Sequence, residues 1–307
     1  MRWPSLALYT LLLAQSAQAG PLRDWLAERR ADNPVPQEIA YGDDPRQRLD
    51  IYRPAGTQPA PILWMVHGGA WRTGDKRNSG VIDNKVARWQ PQGFVLVSVN
   101  YRLLPEASVA EQLADLRLAL QRTQQQAAEW GGDPAQMVLL GHSAGAHLVA
   151  LLNADLAAST RLGIQPWRGA VLLDSAVLDL PAIMHKPHYR FYDQAFATDP
   201  AYWRQLSPLH QLQKGAPPVL AVCSSQRPDQ PCAQAHAFAD SMQRLGSRAE
   251  VLPQPLSHKA INHELGLDNA YTRQVEVFLA SLGAGLQQRL QPRNDNGPDK
   301  PGRYITD

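Results

Sequence analysis

Cysteine is almost missing from this sequence: two occur in 307 residues. Two thiols cannot build a zinc site by themselves, nor a disulfide-rich scaffold. Long apolar runs are missing too, and without 18 or more consecutive apolar residues no stable membrane span is expected. Charge of one sign is missing: 30 Lys and Arg stand against 28 Asp and Glu, with no basic run. Nucleic-acid binding normally requires a clustered basic face, so that partner class is excluded. Neither G-x-G-x-x-G, nor a P-loop, nor metal-ligand spacing occurs, and the reading calls for no cofactor and no metal. Hydrophobic residues, by contrast, make up 44% of the chain, enough for a sizeable core. Disorder is thereby excluded as the main state.

The two ends differ from the middle. Arg2 precedes the short apolar stretch LALYTLLLA (6–14), and Ala17-Gln18-Ala19 offers a small-x-small cleavage site. This pattern predicts an export signal over 1–19 and a periplasmic or extracellular protein. Residues 287–307 are polar, rich in Pro, Gly and Asn, and aperiodic, and they predict a disordered tail.

Between these ends, short runs rich in Val, Ile and Leu predict strands over 48–52, 62–66, 95–99, 137–140, 170–173, 219–222 and 249–252. Continuous apolar runs of this length suit strands covered on both faces. Helices are predicted over 78–90, 109–130, 144–158, 230–245 and 269–282; Leu113, Leu116 and Leu120 show the helical spacing. Strands alternating with helices predict a doubly wound, mostly parallel sheet. Ligands of such sheets sit outside the carboxyl ends of the strands, so functional residues should follow strands directly.

One such position holds Gly141-His142-Ser143-Ala144-Gly145, between the run MVLL and an apolar helix. In Gly-x-Ser-x-Gly the turn is so sharp that the residues two before and two after the serine crowd each other, so both are glycine. The turn lifts the hydroxyl above the sheet, at a helix N-terminus that favours developing negative charge. A second position holds His67-Gly68-Gly69-Ala70-Trp71 after ILWMV. Two glycines allow close approach of the backbone to a substrate. The N–H groups of Gly69 and Ala70, joined by that of Ala144, are the expected oxyanion donors. His67, Gly68, Gly141 and Gly145 are expected to support these two turns.

A serine hydroxyl needs a base, and the base needs an orienting carboxylate. The expected chain order is Ser, acid, His. After the strand PPVLAV, Asp229 is the only carboxylate of the loop and is the expected acid; Asp179, after the preceding strand, is the alternative. His258, in the loop after the last strand, is the expected base, with His263 read as a surface residue and His147 as lying behind the nucleophile.

These stretches resemble the α/β-hydrolase superfamily, specifically its esterase branch with an HGGxW motif, which includes feruloyl-esterase-like enzymes and arylformamidases. The matching segments are RLDIYRP (48–54), HGGAWRTGDK (67–76), VSVNYRLLPEA (97–107), GGDPAQMVLLGHSAGAHLVALL (131–152) and LSHKAINHELG (256–266). The resemblance implies one α/β-hydrolase domain over 20–286 and a Ser143, Asp229, His258 triad acting on a small-molecule ester. It departs at the acid loop, where SSQRPDQPC replaces the usual strand, Gly, Asp sequence. Amide cleavage of the arylformamidase kind, and a non-catalytic binding protein on the same fold, are the alternatives. The segment 185–203 carries six aromatics, and a lid over about 181–210 is expected to receive a flat apolar acyl or aryl group.

Cys223 and Cys232 lie nine positions apart on either side of Asp229. In an exported chain, two such thiols predict a disulfide that fixes the acid loop. The protein, denatured without reductant, should therefore present no reactive thiol; titration of two free thiols would contradict the bridge.

Overall fold

The computed structural model describes residues 35–291, apart from 57, 58 and 176. The expected leader over 1–19 and the tail beyond residue 291 lie outside the described residues.

One sheet of eight strands organises the chain: β1 (Gln37–Ala40), β2 (Arg48–Tyr52), β3 (Ala60–Val66), β4 (Val95–Val99), β5 (Gly132–His142), β6 (Gly169–Leu173), β7 (Val219–Ser224) and β8 (Ala249–Gln254). Their spatial order is β1-β2-β4-β3-β5-β6-β7-β8. The β1–β2 and β2–β4 pairs are antiparallel, and every other pair is parallel. The helices are α1 (Ser79–Trp89), α2 (Val109–Gln126), α3 (Ala144–Ala154), α4 (Leu156–Arg161), α5 (Leu180–Met184), α6 (Arg190–Phe196), α7 (Pro200–Gln205), α8 (Pro208–Gln211), α9 (Pro231–Arg244), α10 (His258–His263), α11 (Ala270–Ser281) and α12 (Ala284–Leu290). This is the α/β-hydrolase fold, doubly wound and mostly parallel, as expected from the sequence.

The apolar runs form strands because helices cover both faces of the sheet. Every residue of β3, β4 and β6 is buried. Alternation along β3 sends Ile62, Trp64 and Val66 into one apolar cluster with Leu113, Leu116 and Leu120 of α2. Leu63 and Met65 enter the other, with Val86 of α1 and Val275 and Phe278 of α11. The indole of Trp64 donates to Thr123 Oγ1 at 3.1 Å, which satisfies its only polar atom in the core. Polar side chains set the helix starts: Asn78 accepts from Gly80 N, and Ser108 forms a reciprocal capping box with Glu111.

β1, β5 and α12 are among the elements that differ from the sequence reading. β1 is short and exposed except at Ile39, so it lacks apolar alternation; Glu38 anchors it instead, through Lys76 and Arg77. β5 is longer than the apolar run because its pairing with β3 continues across an irregularity at Pro61/Ile62. α12 reaches Leu290, into the stretch read as tail from 287, because Leu286 is buried and Leu290 packs beside it on the apolar face.

The topology fixes where chemistry can occur. From β3 the chain crosses to β4 on one side, and from β5 to β6 on the other. The crevice at this switch point lies between the segments that follow β3 and β5, namely the His67 and Ser143 turns. The turns interlock. A Cβ on Gly145 would fall 2.4 Å from Val66 O and 2.5 Å from His67 O, and one on Gly141 would fall 2.4 Å from Gly145 O. Gly145→Ala should therefore lose about 1–3 kcal/mol of stability in urea denaturation; a variant as stable as the parent would contradict this packing.

Candidate active site

The nucleophile turn is held from both sides. Ser143 has φ 55° and ψ −118°, a conformation side chains rarely adopt. Its N–H donates to Leu173 O of β6 at 2.9 Å. A Cβ on Gly68 would meet Ser143 Cβ at 2.9 Å, so the HGG turn lies directly against the serine. Gly69, Ala70, Ser143, Ala144 and His258 face one cavity of about 670 Å³. Ala144 starts α3, whose first N–H groups have no acceptor within the helix. Of the six non-glycine residues with positive φ among those described, Ala70, Trp71, Ser143 and Asp174 line this cavity. Strain concentrates where function usually requires it.

His258 opens α10 rather than lying in a loop, because Ser257 caps that helix through Ala260 N. Its backbone oxygen accepts from His142 Nε2 at 3.0 Å, and the two rings lie 4.6 Å apart. Behind it, Lys85 Nζ donates to Asn262 O at 2.7 Å, and Asn84 Nδ2 donates to His263 O at 2.6 Å. Burial pushes Lys85 down to about 7. His263 itself is exposed, as expected.

The partner of the His258 ring is not the expected one. His258 Nδ1 lies 2.6 Å from Asp174 Oδ2. Asp174 is the residue directly after β6, and its carboxylate is fully buried. It also accepts from Arg227 Nη1 at 2.8 Å and from Ser224 N at 2.7 Å. Burial would raise its pKa, but the hydrogen bonds from His258, Arg227 and Ser224 outweigh it and hold the carboxyl below the usual carboxylate range.

Asp229, expected in this place, is instead the counter-ion of Arg227. Its two oxygens take Nε, at 3.0 Å, and Nη2 of that guanidinium. Neither does the alternative, Asp179, reach the histidine; it caps α5 through Ala182 N and lies 3.8 Å from His210. The physical reason is register. Leu173 pairs with His142, so Asp174 leaves its strand at the same level as Ser143. Asp229 follows the end of β7 by five residues, and Arg227 takes its carboxylate. A sequence signal for Asp174 did exist: it follows its apolar strand immediately, as Ser143 follows His142.

Cys223 and Cys232 form a disulfide, with Cα atoms 5.2 Å apart, and close the loop carrying Arg227 and Asp229. His67 is buried, stacks on Tyr101 at 4.6 Å and contacts Gly68 O through Nδ1 at 2.7 Å; burial pushes it down to about 4. His147 lies behind the serine, accepting from Trp71 Nε1 and donating to Leu206 O, and burial pushes it down to about 4. Loss of water contact, reinforced by His258, pushes His142 down to about 3.

The stretch of about 181–210 folds as α5–α8, with the aromatic segment on and around α6 and α7. Tyr189, Phe191 and Tyr192 face the cavity, whereas Phe196 and Trp203 are buried and Phe196 packs edge-on against Trp71. Among the described residues no group of three or more His, Cys, Asp and Glu side chains could hold a metal ion, and no helix is long and apolar enough to cross a membrane.

Known proteins similar to this chain include esterases and a formamidase. The BD-FAE family matches residues 49–166. A probable isoprenylcysteine alpha-carbonyl methylesterase of Arabidopsis thaliana is 27% identical over 71% of this chain and 49% of its own. Esterase LipC of Mycobacterium tuberculosis is 29% identical over 70% of this chain and 56% of its own. The chain thus spans about half the length of these relatives. Kynurenine formamidase of Danio rerio is 26% identical over 69% of this chain and 71% of its own. Among solved structures, the thermophilic esterase Est2 of Thermogutta terrifontis superposes with a TM-score of 0.67 at 26% identity, covering 86% of this chain and 96% of that one. The chain thus has the α/β-hydrolase fold and is similar to esterases that share it.

Proposed function

We propose that this protein is an exported serine hydrolase that cleaves a carboxylic ester. Ser143 attacks the ester carbonyl. His258 takes the hydroxyl proton and returns it to the departing alcohol. Asp174 accepts from His258 Nδ1–H, holding the other nitrogen toward the serine and stabilising the imidazolium as it forms. The N–H groups of Gly69, Ala70 and Ala144 receive the developing oxyanion, an interaction worth about 3 kcal/mol per donor. Water then repeats the sequence on the acyl-enzyme.

One observation carries this reading: the strained Ser143 turn faces the same cavity as a histidine whose Nδ1 is fixed by a buried carboxylate. The esterase names of the relatives support ester chemistry. The kynurenine formamidase relative supports a second reading, cleavage of an aryl formamide by the same groups. Tyr189, Phe191 and Tyr192 favour a flat apolar group on the substrate in either case. Export is supported by the expected leader and by the disulfide, which persists in oxidising compartments.

Ser143→Ala should abolish both labelling by a fluorophosphonate probe and hydrolysis of short p-nitrophenyl esters, while a folded parent that resists the probe would refute the enzyme reading. Asp174→Asn should lower kcat about 10³–10⁴-fold with the fold intact, the loss expected when the histidine is left in the wrong tautomer. Full activity in Asp174→Asn would remove Asp174 from the mechanism. Parallel assays on an aryl formamide and an aryl ester decide between the two substrate classes.

A further inference from the structure

The orienting carboxylate is not alone. Arg227 Nη1 touches both Asp174 Oδ2, at 2.8 Å, and His258 Nδ1, at 2.9 Å. A guanidinium so close to the base is a problem for the mechanism. It cancels the charge of Asp174 and opposes the imidazolium that must form. Asp229 supplies the counterweight, because its carboxylate takes the other edge of the same guanidinium in a two-pronged pair. The Cys223–Cys232 bridge closes the loop that carries both residues.

We propose that Arg227 and Asp229 are positioning residues for the base, Arg227 fixing Asp174 in line with His258 and Asp229 restoring the negative charge that Arg227 removes. With Asp174 and Asp229 each −1 and Arg227 +1, the set carries −1 around a neutral imidazole and becomes neutral when the imidazole is protonated. Without Asp229 the same step would create a net positive charge. This inference rests on the serine-hydrolase reading above.

Other groups around His258 do not supply this balance. His142 stacks on it and is neutral, pushed down to about 3. Lys85 lies behind α10, satisfied by Asn262. Tyr192, across the cavity, is pushed up to about 12 by burial, with Asp229 adding, and buried Tyr271 is raised well above its usual value. On the same helix and just after it lie Lys259, His263 and Glu264, of which none is buried. Arg227 donates to Asp174 of the triad, and Asp229 is joined to the triad through Arg227.

The test is the pH profile of kcat/KM, whose acidic limb reports the essential base of the free enzyme. Asp229→Asn keeps the shape of the side chain and should move this limb to lower pH by about 0.5–1 unit, with kcat reduced about 10-fold. Asp229→Glu should return the limb to the parental position. Arg227→Met should move it the opposite way, to higher pH. A profile unchanged in Asp229→Asn, or one that falls in height without shifting, would overturn the proposal and leave Asp229 a structural residue. Shifts of the same sign in Asp229→Asn and Arg227→Met would overturn it as well. Asp174→Asn run alongside separates the two levels: if it retains activity while Asp229→Asn loses about 10³-fold or more, the triad reading fails. If Asp174→Asn collapses and Asp229→Asn matches the parent, only the present inference fails.

Discussion

A single buried carboxylate organises the site. Asp174 lies where no water reaches it and accepts from the His258 ring, the Arg227 guanidinium and the Ser224 N–H. A charge removed from water is tolerable only when its lone pairs are filled by good donors. The three donors come from the segments after β7 and β8 and from the end of β7 itself. The same bonds that make Asp174 tolerable in the interior therefore bring together the ends of three neighbouring strands. Ser143, one strand further along, is tied to the same strand end through its bond to Leu173.

Much of this was legible in the sequence. Strand runs in β3, β4, β6 and β7 could be read because covering both faces of a parallel sheet demands uninterrupted Val, Ile and Leu. Gly141 and Gly145 were legible because no side chain fits between the serine turn and the backbone after β3. The place of His258, after the last strand and on the cavity of the serine turn, was legible from chain order. β1 was not, because an edge strand held by Glu38 ion pairs needs no apolar pattern.

The carboxylate beside His258 was misplaced for an instructive reason. The loop after β7 contains a carboxylate, a disulfide and an arginine, and sequence order favours an acid there. Reach decides otherwise. Asp174 emerges at the level of Ser143, while Asp229 is consumed by Arg227 before it can meet the histidine. Sequence position records which strand a residue follows; it does not record which partner claims its charge. The Arg227 contact, invisible in any linear pattern, converts the expected catalytic acid into the counter-ion of a neighbour.

Asp174, rather than Asp229, is the carboxylate that meets His258 Nδ1. Proton NMR tests it directly, because a short charge-assisted hydrogen bond moves such a proton far downfield and slows its exchange. A far-downfield resonance should be present in the parent protein, survive in Asp229→Asn and disappear in Asp174→Asn. Survival in Asp174→Asn together with loss in Asp229→Asn would contradict it.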